Sequence, residues 1–127
     1  MPIVSISLGQ DMADELDRLQ ASLGFSGRSE VVRAGLKMLS ADSKERENIS
    51  GTIKSVLLLV HDQRAEKMVS QIRHKFDDVI DTQIHTELER GKCLEVFVLN
   101  GDALIIRKMY DNCQSGKGMD FVKLIVP

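Results

Sequence analysis

The chain has 127 residues, 17 Lys+Arg against 19 Asp+Glu, and a formal net charge of −2, too little positive charge to coat nucleic acid without sequence preference. It has no Trp and one Tyr, Tyr110, so aromatic platforms for single-stranded bases are nearly absent and an RNA or single-strand binder is disfavoured. This length suits one ordinary domain or two small ones, and small domains often need a second chain to bury enough apolar surface, so an oligomer is expected.

The first predicted element is a strand over residues 2–8, where Val4, Ile6 and Leu8 share one face and Ile3, Ser5 and Ser7 the other. Met12, Leu16, Leu19 and Leu23 then form one apolar stripe of a helix, and Gly24 is placed to stop it. A second helix is expected to begin near Gly27, with Glu30 as capping partner, and to run through Val31, Val32, Leu36 and Leu39. An isolated strand leaves two open edges, so pairing with its copy from a second chain is the natural solution. The resulting antiparallel ribbon fits the DNA major groove.

Residues 40–51 are polar and charged, and are expected to fray into a connector between an N-terminal domain, 1–48, and a C-terminal domain, 52–127. Beyond it the pattern reads strand (Ile53 to Val60), helix (Ala65, Met68, Val69, Ile72, Phe76) and strand (Val79 to Leu88). A turn at Glu89, Arg90 and Gly91 leads to a strand (Leu94 to Leu99), a helix (Leu104 to Met109) and a last strand (Phe121 to Val126). The order β-α-β-β-α-β predicts a ferredoxin-like unit and an α+β chain overall.

The C-terminal part gathers metal-binding residue types. His85 and Glu87 are two apart on one strand and project from the same face, and a hairpin register pairing residue 87 with residue 93 sets Cys93 opposite Glu87. Nitrogen and sulfur donors suit nickel, cobalt, copper or zinc rather than magnesium or calcium. His74, near the end of the preceding helix, is distant in its own chain and can complete such a site in another subunit. The same residues also fit a polar hairpin surface with a small buried thiol, and spacing alone leaves both readings open. His61 reads as a surface or hydrogen-bonded residue, Cys113 as a small core residue, and Met68 and Met109 as core. A hydrolase is disfavoured: Cys93 has no adjacent His and Glu87 no paired carboxylate. An antitoxin with a disordered tail is disfavoured by the six patterned elements.

Three stretches carry a resemblance to the NikR family of nickel-responsive ribbon-helix-helix repressors. They are the N-terminal strand, the run Gly24-Phe25-Ser26-Gly27-Arg28-Ser29-Glu30-Val31-Val32-Arg33, and the run from His85 through Cys93-Leu94-Glu95 to Gly101-Asp102, similar to the family's His-x-His-x5-Cys-Leu-Glu-x-x-x-Leu-x-Gly-Asp. The resemblance implies a homotetramer, a dimer of dimers, in which ribbon-helix-helix domains flank a core of ferredoxin-like (ACT-like) domains. It implies a metal site of His85, Glu87 and Cys93 from one chain and His74 from another, with nickel first and cobalt or zinc as other candidates. It also implies double-stranded operator DNA as partner, with Ile3, Ser5 and Ser7 facing bases and Arg28, Ser29 and Arg33 facing phosphates at a helix N-terminus.

Three departures stand out. Glu87 occupies the place of a second hairpin histidine, which opens the site to cobalt, zinc or a higher-coordinate nickel. Ile3 stands where some members carry Arg, so the operator is expected to differ. Ala34 replaces an acidic residue that would join Glu30 in a secondary cation site, which is expected to be absent or altered. The expected function is a metal-responsive transcriptional regulator, a repressor in its simplest form and not an enzyme. The alternative keeps DNA binding but has the C-terminal domain sense an organic effector or only tetramerise. With no charged-then-apolar leader and no apolar run near 18 residues, a cytoplasmic protein with no membrane segment is expected.

Overall fold

The computed structural model describes residues 1–127 in full and divides into two compact units, Met1–Glu45 and Arg46–Pro127. In the first, residues 1–9 carry no regular secondary structure, and Ile3, Val4, Ile6 and Leu8 are exposed. The expected strand is therefore not formed within one chain, because a strand is made by a neighbour's hydrogen bonds and the rest of this unit is helical.

Helix α1 (Gln10–Leu23) ends as the sequence predicts. Gly24 adopts φ 72°, the left-handed region that glycine enters without steric cost, and its N–H donates to the Gln20 carbonyl. Helix α2 spans Arg28–Glu47. Glu30 caps it, accepting from the Ser26 backbone N–H at 2.7 Å and the Ser26 hydroxyl at 2.5 Å. The expected fraying from residue 40 does not occur. Ala41, Lys44, Glu45, Arg46 and Glu47 are good helix formers, and Arg46 is anchored with its guanidinium 4.3 Å from the centre of the Tyr110 ring.

The second unit is a four-stranded antiparallel sheet of order β2-β3-β1-β4, built from β1 (Thr52–Asp62), β2 (Ile80–Glu87), β3 (Lys92–Asp102) and β4 (Met119–Ile125). Helix α3 (Glu66–Lys75) follows β1, and α4 (Ala103–Gln114) follows β3, giving the expected β-α-β-β-α-β order. Alternation decides the core. Leu57 and Leu59 of β1 and Phe97 and Leu99 of β3 point inward against Val69 and Ile72 of α3 and Ile106, Met109, Tyr110 and Cys113 of α4. The opposite face carries Val56, Leu58, Val60, Val96 and Val98, half-buried, beside exposed Ile84, Phe121 and Ile125. No helix is long and apolar enough to cross a membrane.

The β2–β3 hairpin turns on Arg90 and Gly91, with φ of 61° and 70°, two successive positive values of the kind a tight primed turn needs. Closure by the Leu88 N–H to the Lys92 carbonyl at 2.8 Å fixes the register that sets Glu87 opposite Cys93 and His85 opposite Glu95.

Candidate metal centre

Because directly opposed residues share a face, the register places His61 (β1), Cys93 and Glu95 (β3) and His85 and Glu87 (β2) on the helix-covered side of the sheet. His61 and Glu95 are fully buried, and Cys93 is only 2% exposed. A buried carboxylate needs hydrogen-bonding partners to offset its desolvation, and Glu95 has two, His85 and Gln83. Its Oε1 faces both His85 Nδ1 and, at 3.4 Å, His61 Nε2, while its Oε2 accepts from Gln83 Nε2 at 3.0 Å. Glu66, at the start of α3, adds a half-exposed carboxylate 4.0 Å from His61 Nε2.

Two donor groups result, His61–Glu66–Cys93 and Glu66–His85–Glu95, each with its ligand atoms within 4.8 Å of one another. They share Glu66, which with His85 also lines a cleft of about 330 Å³ bounded by Val69, Ser70, Arg73 and Gln83.

The electrostatics of this corner favour a cation. The hydrogen bond to Glu95 raises the His85 pKa above that of a free imidazole, against some desolvation, with Glu95, Glu66 and Glu87 adding their charges. Burial first, then the carboxylates of Glu66, Glu87, Glu95 and Asp62, push the Cys93 thiol up. An ionised thiolate here would sit in a field already negative. A positive ion among these side chains would relieve those repulsions together, so the residues present fit a divalent metal in donor type and in charge.

The sequence-predicted ligands are only partly brought together. His85 and Cys93 stand on the same corner but in different donor groups. Glu87 lies opposite Cys93 as expected, yet it is exposed and belongs to neither group. His74 is exposed in the last turn of α3, also outside both, so the set His74, His85, Glu87 and Cys93 does not converge within one chain. His61 is hydrogen-bonded and buried rather than on the surface. Sequence reasoning missed Glu66 and Glu95. For Glu95 a signal existed, since it occupies an inward-facing position between Cys93 and Phe97 in an otherwise apolar strand. Cys113 and Met109 are core, as expected.

Of the residues expected to face DNA, Ile3, Ser5, Ser7, Ser29 and Arg33 are exposed. Arg28 is exposed as well, but its guanidinium makes a two-pronged contact with Asp17 of α1, at 2.8 and 2.9 Å, and so ties the two helices together. Ile6, Leu8, Met12, Leu16, Leu19 and Val32 line an apolar cleft of about 180 Å³ in this unit.

The family profile described as NikR C terminal nickel binding domain matches residues 55–126, more than half of the chain. The chain belongs to the NikR family. A second profile, ribbon-helix-helix protein of the copG family, matches residues 3–41. The NikR family is one of transcriptional regulators, not of enzymes. Relatives from Methanococcus aeolicus and Methanocaldococcus jannaschii, both named as nickel-responsive regulators, are each 29% identical over 99% of this chain and 92% of their own length. Among solved structures, an uncharacterized protein from Thermotoga maritima superposes with a TM-score of 0.57 at 20% identity, covering 60% of this chain and 98% of its own, a likeness of fold.

Proposed function

We propose that this NikR-family chain is a metal-controlled, sequence-specific repressor in which a divalent ion, nickel first, governs operator binding at a subunit interface. The observation that carries the reading is the buried corner of His61, Cys93 and Glu95, with His85 beside it, within the segment similar to a nickel-binding domain. His85, Cys93 and Glu87 of one chain would hold the ion with His74 of the partner subunit. Glu95, bonded to His85 Nδ1, would fix that ring so that Nε2 is the nitrogen left for the ion. The ion would supply bonds that form fully in only one arrangement of the subunits, and binding free energy available in one arrangement shifts the population toward it.

Two apolar surfaces support assembly as a dimer of dimers. The cleft lined by Ile6, Leu8, Met12, Leu16, Leu19 and Val32 suits closure by a second copy's ribbon. The uncovered sheet face, with Ile84, Phe121 and Ile125 exposed, suits a contact between C-terminal units. In the paired ribbon, Ile3, Ser5 and Ser7 would read bases in the major groove, while Ser29, Arg33 and the first turn of α2 would hold phosphates. Arg28 would join them by releasing or sharing Asp17.

The test is operator affinity measured against the free concentration of nickel, cobalt and zinc, for the wild type and for His85→Ala. Affinity that rises with one ion, and no longer does so in the variant, is the expected result. Absence of stoichiometric uptake would leave the organic-effector or plain-tetramerisation reading in its place.

A further inference from the structure

We infer that the chain carries a second borderline-metal position made entirely within one subunit, from His61, Glu66 and Cys93, adjoining the interface set and sharing its thiol. His61 Nδ1 lies 2.9 Å from the Asp62 backbone carbonyl oxygen, an acceptor, so that ring nitrogen carries the proton. Nε2 of the same ring, when it holds no second proton, then presents a lone pair. That lone pair faces two carboxylates, Glu95 at 3.4 Å and Glu66 at 4.0 Å, in a place where His61 itself is fully buried. Lone pairs aimed at one another repel unless a proton or metal ion stands among them.

The thiol chooses between those two cations. Cys93 belongs to the same group, with all three ligand atoms within 4.8 Å of one another. Metal–nitrogen and metal–oxygen bonds of about 2.0–2.2 Å and a metal–sulfur bond of about 2.3 Å put neighbouring ligands of a tetrahedral ion about 3.3–3.8 Å apart, so modest side-chain rotations close the set. Imidazole, carboxylate and thiolate together select zinc or cobalt over magnesium or calcium. None of these residues needs a partner subunit, and neither His74 nor Glu87 takes part.

Cobalt(II) titration of the full-length protein tests this, read by the thiolate-to-cobalt absorption band. Glu66→Gln is the decisive variant, because Glu66 is 53% exposed and its replacement leaves the core intact. Measured in a His74→Ala background, where the interface set has lost one ligand and a cobalt–thiolate band is still expected, it should weaken cobalt uptake about tenfold or more. His61→Asn should behave like Glu66→Gln, and Cys93→Ser should abolish the band. Unaltered cobalt affinity in Glu66→Gln overturns the inference. So does loss of the band in His74→Ala alone, which would mean one site spanning subunits and no position within a single chain.

Discussion

The two units of this chain solve the problem of burying apolar surface in opposite ways. Arg46–Pro127 packs two helices on one sheet face around fully buried Leu57, Leu59, Phe97, Leu99 and Met109. Met1–Glu45 buries only Val31 and leaves Ile3, Val4, Ile6, Met12 and Leu36 in the open. A folded unit of that kind is completed by association, so its stability depends on protein concentration, whereas the larger unit holds most of its own.

Cutting the chain gives the largest expected effect. A fragment of residues 46–127 should retain its native circular dichroism and cooperative melt, while residues 1–45 alone at low micromolar concentration should be largely unfolded. A cooperative, concentration-independent melt for the short fragment would erase the distinction. Next comes core truncation: Phe97→Ala should cost about 3–5 kcal/mol in urea unfolding of the C-terminal unit. Val31→Ala should cost under about 2 kcal/mol and show itself as a shift that grows on dilution.

Thiol chemistry sharpens the contrast further. Burial pushes the Cys113 thiol up to about 12, so at pH 8 only about one molecule in ten thousand carries the thiolate. Iodoacetamide should therefore modify Cys113 only as the C-terminal unit unfolds; labelling under native conditions would mean that this core opens. The smallest effect concerns Glu30, whose carboxyl is held below its usual 4.5 by the Ser26 hydroxyl and N–H. Its folded pKa being depressed, its contribution is complete above the unfolded value and is lost as pH falls through the folded one. In thermal melts across the acid range, Glu30→Gln should thus flatten the stability profile of the N-terminal unit below about pH 4.5. An acid slope identical to that of the wild type would remove Glu30 from the account.

Much of this architecture was readable from residue order. The C-terminal strands and helices follow alternation and helical spacing, and Arg90-Gly91 announces the turn that fixes Glu87 opposite Cys93. The end of α2 is not legible in the same way, because a polar run without an apolar stripe resembles a connector, although its residues favour helix and Arg46 finds Tyr110. The metal corner was half legible. His85 and Cys93 announce themselves by type, but His61 and Glu95 reveal their role only through strand parity, and Glu66 reaches them only through the packing of α3. A contact between chains, such as the one proposed for His74, would leave no trace in periodicity, which encodes the fold of a single chain.

Glu95 occupies a spot where its strand neighbours on the same side are Cys93 and Phe97, and its three polar contacts tie together β1, β2 and β3. Filling that spot with Leu would remove one member of a buried polar group and leave Gln83 and the His85 ring without their acceptor, and a group broken from one side in this way destabilises the fold. The Glu95→Leu protein would melt earlier and hold its His85 ring loosely, so endurance and responsiveness draw on the same side chain.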